Sequence, residues 1–270
     1  VQWLGGVVVP LFADTSAAEI AGPIQSAKIG VVFAENQEQV DKLLAAMPQC
    51  PTIRHIVYDD DIGMRHYRQS HVQAYDALLA QGRDAMAQME GHLDAELARG
   101  SAKDPAALFF TSGTTGPARG VVHAHGALID RARAAAAVDG LNDDDTSVAY
   151  LPPAWMVQHM FAYALPMVTG SCVCCPESSE TMLNDMREMG PTVFLAPPRV
   201  LEALLTQVTT RINNTGGFKR DLYEHYMAVA QRIGQRTLAG ESLALSDSVA
   251  YSLGNFLIYG PLRDVMGMGR

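Results

Sequence analysis

The sequence predicts an α/β protein built of layered parallel or mixed sheets flanked by helices. Two observations lead there. Short β-branched runs alternate with amphipathic segments over the first hundred residues, the pattern of strands covered by helices. The chain has 270 residues, 48% of them hydrophobic and 18% charged, which is enough for a sizeable core and is neither disordered nor fibrous in character.

In chain order, Gly5–Leu11 reads as a strand closed by Pro10. Ser16 followed by Glu19 is a capping-box spacing, so a helix is expected to start near 16. Ile29–Phe33 is a second strand, and Ile53–Tyr58 a third. Between them, Glu38–Met47 places Val40, Leu43, Leu44 and Met47 on one helical face. Asp59–Asp61 reads as a solvated turn rather than a cation loop. From Val72 to Leu97 apolar residues recur at three- and four-residue steps. That predicts a long helix with a Met86/Met89 stripe packed in the core, and Gly82 and Gly91 are possible breaks. Arg99–Pro105 is the best linker. It divides the chain into a partial α/β subdomain over 1–100 and a second over 101–270. Further helices are expected over 126–138, 180–189 and 218–238, and strands over 146–151, 171–175 and 191–196.

The most informative stretch is Leu108–Gly126, LFFTSGTTGPARGVVHAHG. An apolar strand runs into Thr111, Ser112, Gly113, Thr114, Thr115 and Gly116, and then into Arg119 and Gly120. Glycines let successive N–H groups turn toward one point, and the four hydroxyls can donate to phosphate oxygens. Arg119 adds a fork-shaped cation. A flexible surface loop is the competing reading. The GxxxxGK[ST] loop is absent, because no Lys-Ser/Thr pair follows Gly113 or Gly116 at the needed spacing.

Other constellations read as structural. Cys172, Cys174 and Cys175 lie in an alternating run without paired C-x-x-C spacing. Core cysteines are therefore expected rather than metal ligands, and reduced thiols fit the cytoplasm. His123 and His125 have no evident third ligand, so no metal site is assigned. A net charge of −9 argues against a nucleic-acid partner. No apolar run reaches membrane-spanning length, which leaves peripheral membrane contact and oligomer formation open. The chain opens at Val1 inside an apolar segment, as if taken from something longer.

The TSGTTG string, with its spacer, cation and glycine, resembles the phosphate-binding signature of the adenylate-forming superfamily, the acyl-CoA synthetases and their relatives. Ala118-Arg119-Gly120 stands where that family usually has Pro-Lys-Gly. AYLPPAW at 149–155, PTVFLAPPRV at 191–200 and GPLRDVMGMGR at 260–270 resemble the long-chain branch. The resemblance implies an incomplete amino-terminal domain of such an enzyme. The parent enzyme would activate a fatty or other carboxylate with Mg-ATP as an acyl-adenylate and transfer it to coenzyme A. Thr111–Gly116, Arg119 and Gly120 would hold the phosphates, and Trp155, with His159 a turn further on, would line the carboxylate and acyl pocket. The catalytic lysine, the ribose-binding aspartate and the Mg²⁺ ligand fall beyond Arg270 in this reading. The 270 residues alone are then expected not to complete the reaction. The alternative is a truncated, non-catalytic homologue that binds a ligand or partner.

Overall fold

The computed structural model of the chain describes residues 1–111 and 118–268. It is a mixed α/β structure with open sheets, and the chain falls into two compact units that interleave in sequence. One is Val1–Asp139 with Leu151–Val168, the other Gly140–Tyr150 with Thr169–Arg270. The expected linker, Arg99–Pro105, lies inside the first unit.

In the first unit, α1 (Ala17–Ala27) begins at Ser16. The Ser16 hydroxyl accepts from Glu19 N while the Glu19 carboxylate accepts from Ser16 N, so two otherwise orphaned donors are satisfied. β1 (Val31–Ala34), α2 (Gln37–Ala46) and β2 (His55–Tyr58) follow as expected, and α2 is capped by the Asn36 side chain. Ile24, Val40, Leu43, Ala46, Cys50 and Ile56 form the centre of the core here. β2 lies between β1 and β3 (Val72–Ala74), all parallel, with Ile56 opposite Val72.

β3 corrects the expected long helix. Val72 pairs with β2, and the helix starts only at Tyr75. α3 (Tyr75–Ala85) runs through Gly82 without a break and passes into a short 3-10 turn. The break comes at Gly91, whose φ of 74° is natural only for glycine, and α4 (His92–Arg99) follows. The methionine stripe is not core: Met86 is 71% exposed and Met89 49%. The expected first strand also shrinks. Gln2–Leu4 is a 3-10 turn, and Val8 alone bridges Ala107 in parallel. Val8 N donates to Ala106 O (3.1 Å), and Val8 O accepts from Leu108 N (2.9 Å).

The unit continues with β4 (Pro105–Thr111), β5 (Arg119–Ala124) and α5 (His125–Asp139). Residues 151–168 add α6 (Met156–His159), a π-helical turn over Met160–Ala164 and most of α7 (Leu165–Thr169).

In the second unit, β6 (Thr146–Val148) pairs in parallel with β7 (Cys172–Cys174). The expected strand at 191–196 is reduced to one bridge, Ser147 to Val193. Thr192 N and Val193 N donate to Thr146 O (2.9 and 3.0 Å), and side chains secure the segment further. Asp145 accepts from Asn142 N (2.9 Å) and from the Thr192 hydroxyl (2.7 Å), and both bonds hold its carboxyl below the ordinary range. The Tyr150 hydroxyl donates to Leu195 O (2.9 Å) while its ring stacks on Phe194. The helices are α8 (Met182–Met189), α9 (Pro198–Asn213), α10 (Phe218–Leu238), α11 (Leu245–Gly254) and α12 (Gly260–Val265). Asp247 of α11, 9% exposed, receives Arg236 at 2.5 Å and Arg232 at 3.2 Å from α10. The expectation of core cysteines at 172, 174 and 175 is not met, whereas Cys50 in the first unit is buried. Cys172 and Cys175 are exposed and Cys174 is half-buried, because β7 has a partner on one side only among the described residues.

Candidate functional site

Of the residues singled out from the sequence, Thr111, Arg119 and Gly120 lie on one hairpin, while Trp155 and His159 lie on a separate helical segment. β4 and β5 are antiparallel, with Phe110 opposite Gly120 and Thr111 opposite Arg119. β4 is strongly apolar, which favours a half-buried strand, and Ala106, Ala107 and Phe109 are buried along it. The polar, glycine-rich stretch beyond Thr111 ends that pattern. Ser112, Gly113, Thr114, Thr115 and Gly116 lie outside the described residues.

The base of the hairpin is well defined. The Thr111 hydroxyl donates to Arg119 O (3.3 Å), bracing the two strands where the loop leaves them. Arg119 is exposed, and no carboxylate among the described residues forms an ion pair with it. A guanidinium in that state is available to an anion from outside. At Gly120 a Cβ would come within 2.9 Å of Leu108 Cδ2, so glycine lets the Leu108 side chain lie flat across the strands.

Behind the hairpin is an aromatic and imidazole stack. Phe109, 3% exposed, meets the His123 ring edge-on at 5.7 Å and the His159 ring at 5.1 Å. His159 also tilts against Tyr163 at 4.8 Å. The Tyr163 hydroxyl donates to Gln2 Oε1, and Gln2 Nε2 donates to Ala106 O (3.0 Å), which closes a circuit back onto β4. His159 Nε2 is buried without a hydrogen-bond partner. Burial pushes the His159 imidazole below its ordinary range, and His123 nearby adds to the push. A lowered imidazole favours the neutral ring, which meets Phe109 edge-on and Tyr163 at a tilt. The π-helical turn starts immediately after it, a feature that recurs at functional positions in helices.

Trp155 precedes α6 as its N-cap and is 37% exposed, so it is not a core tryptophan. Its carbonyl accepts from His159 N (3.2 Å), which ties the two candidate residues to one helical turn. Met156 and Met160, on the same segment, pack against the Ala106, Ala107, Phe109 and Leu128 cluster behind β4. The structure thus joins Thr111, Arg119 and Gly120 at the hairpin base, and places His159 directly behind it.

Sequence reasoning missed the Phe109–His123 contact. The signal was present in the strand alternation, since His123 lies diagonally across from Phe109 once β4 and β5 are paired. His125 opens α5 rather than continuing β5, so strand spacing does not put it on the face of His123. No group of three or more His, Cys, Asp or Glu side chains among the described residues is arranged to hold a metal ion. No described helix is long and apolar enough to cross a membrane.

A family profile described as "AMP-binding enzyme" matches residues 1–248. The human long-chain-fatty-acid–CoA ligase ACSBG2 is 22% identical over 269 residues, covering 98% of this chain and 39% of the relative. The Drosophila melanogaster long-chain-fatty-acid–CoA ligase heimdall is 22% identical over 278 residues, covering 98% of this chain and 39% of its own length. This chain thus spans well under half the length of these relatives. Among solved structures, the anthranilate CoA ligase AuaEII in complex with anthranoyl-AMP superposes with a TM-score of 0.53 at 18% identity. That match covers 70% of this chain and 34% of the other, a likeness of fold.

Proposed function

The chain belongs to the AMP-binding enzyme family, and from that membership we propose that its β4–β5 hairpin holds the polyphosphate tail of ATP in a carboxylate-activating ligase. The observation that carries the proposal is the register of the hairpin. Thr111 and Arg119 face each other at its base, and Arg119 is exposed and forms no ion pair with a carboxylate among the described residues. In this reading the intervening TSGTTG residues supply N–H and hydroxyl donors, and Arg119 supplies positive charge.

The parent reaction has two steps. A carboxylate oxygen attacks the α-phosphorus of ATP, forming an acyl-adenylate and releasing pyrophosphate. The thiol of coenzyme A then attacks the acyl carbon, forming a thioester and releasing AMP. The first step brings two anions together, so donors fixed in advance around the leaving pyrophosphate do most to lower its barrier. Mg²⁺ enters this scheme with the nucleotide, and no described residue is assigned as its ligand. Trp155 and His159 are proposed to face the carboxylate and its acyl chain. A neutral His159 there adds a polar edge without a competing positive charge. The finer assignments are a long-chain fatty acid as substrate, a cytoplasmic setting with peripheral membrane contact, and oligomer formation. The first draws on the named activity of the relatives, and the others are sequence-based expectations.

The test is calorimetric titration of Mg-pyrophosphate and Mg-ATP into wild type and Arg119→Ala. A charge-assisted contact contributes about 1.5–3 kcal/mol, and each 1.4 kcal/mol is tenfold, so the variant should bind about 10–100-fold more weakly. Added salt should narrow the difference. Equal affinity in the two proteins removes Arg119 from the site.

A further inference from the structure

The second unit carries an exposed helical tip whose chemistry the proposed ligase reaction does not use. α9 ends at Asn213, α10 begins at Phe218, and a short turn joins them. Every residue from 213 to 221 is exposed, and Phe218 is 78% exposed. Gly216 and Gly217 turn the chain with φ of 65° and 56°, and a Cβ at either would meet nothing within 4 Å among the described residues. The tip therefore stands clear of its own unit. Its backbone is satisfied locally. Asn214 N donates to Thr210 O (3.2 Å), Thr215 N to Ile212 O (3.0 Å) and Arg220 N to Gly217 O (3.1 Å).

Charge is concentrated there. Residues 203–220 contain no acidic side chain and three basic ones, Arg211, Lys219 and Arg220, in a chain whose net charge is −9. Arg211 lies in the last turn of α9, where the helix dipole favours a cation. Lys219 and Arg220 share the first turn of α10 with Asp221. The dipole favours the acid there and opposes the two cations, so helix stability does not account for them. Arg220 has one loose, exposed ion pair, to Glu224 at 3.7 Å, and Arg211 and Lys219 have none among the described residues.

We infer that this tip docks on an anionic phospholipid surface. Phe218 enters the boundary between headgroups and acyl chains, and the three cations reach the lipid phosphates on their flexible stems. Charge complementarity selects this occupant. The exposed ring gains by leaving water and the cations gain by meeting anions, and an anionic bilayer offers both within one side-chain length. The rest of the acidic chain is repelled by such a surface, so contact is confined to the tip. The backbone bonds already made at the turn lower the cost of entry. The inference rests on the peripheral membrane contact proposed above and gives it a place. It is independent of nucleotide binding at the β4–β5 hairpin.

The test floats the whole chain with vesicles of phosphatidylcholine alone and of equimolar phosphatidylcholine and phosphatidylglycerol. Wild type should bind the anionic vesicles, leave the neutral ones, and come off as salt is raised. Each basic side chain at an anionic surface is worth about fivefold in partitioning, so Lys219→Ala with Arg220→Ala should bind about 25-fold more weakly. Phe218→Ser should bind about tenfold more weakly. Its circular dichroism should not change, because the ring is exposed. Phe218→Trp should add fluorescence that brominated acyl chains quench. Wild type that stays in solution with both vesicles overturns the inference and the peripheral contact together. If wild type binds but both tip variants bind as tightly, the peripheral contact stands and the inference falls. Equal binding to neutral and anionic vesicles also overturns it, as does a Phe218→Trp signal that bound vesicles leave unquenched.

Discussion

Phe109→Ala should remove the packing that supports the hairpin base. The Phe109 ring is 3% exposed and lies among Ala106, Ala107 and Leu128, with His123 and His159 edge-on at 5.7 and 5.1 Å. An aromatic side chain buries about 150–250 Å², which at about 25 cal/mol/Å² gives an upper bound of about 4–6 kcal/mol. Buried Phe→Ala changes cost about 3–5 kcal/mol, so a loss of about 4 kcal/mol is expected. Both tryptophans, Trp3 and Trp155, lie in the first unit, so their fluorescence during urea unfolding reports on the part of the chain that holds Phe109. The midpoint should fall with an unchanged slope. Mg-pyrophosphate affinity should fall as well, because Phe109 is two residues from Thr111 on β4. A stability loss below about 1 kcal/mol would refute the packing argument, since that is the range of an exposed substitution.

Two further outcomes follow from charge. The His159 imidazole should titrate below 6.5 by NMR, because burial and His123 disfavour its charged form. The unfolded chain then binds the proton more readily than the folded one. The contribution of neutral His159 is complete above pH 6.5 and is lost as pH falls from there toward the folded pKa, with a slope of at most about 1.4 kcal/mol per pH unit. His159→Phe should lose less stability than wild type between about pH 7.5 and pH 5.5, and identical pH profiles would count against the assignment. Asp247→Ala should cost about 1–2 kcal/mol in chemical denaturation, less than for a fully buried pair because Arg232 and Arg236 both reach solvent. A double-mutant cycle with Arg236→Ala that gives no coupling would show that the contact is not energetic.

Local chemistry made much of the fold legible. Ser16 with Glu19 marked the start of α1, and the apolar spacing of Val40 and Leu43 marked α2. α10 runs over Phe218–Leu238 as its pattern indicates. What the sequence hid depends on distant partners. Val72 fits a helical period as well as a strand, and only pairing with Ile56 decides between them. Met86 and Cys172 are apolar enough for a core, yet no element covers them among the described residues. At the site, the apolar run ending at Thr111 and the return at Arg119 and Gly120 marked the two strands that pair there, while the residues between them lie outside the described ones. The stack behind the hairpin was not legible, because Phe109, His123 and His159 meet only after the hairpin and α6 have both formed.

The threading of the two units has a practical consequence for anyone dividing the gene. Residues 140–150 leave the first unit for the second, and residues 151–168 then return. A stop codon after Asp139 would keep the whole hairpin yet strip away Met156, His159 and Met160, the side chains that shield Phe109 from water. Such a product would carry the β4–β5 hairpin with its apolar face exposed and should precipitate. A shortened version that retains the hairpin therefore has to extend at least through Val168.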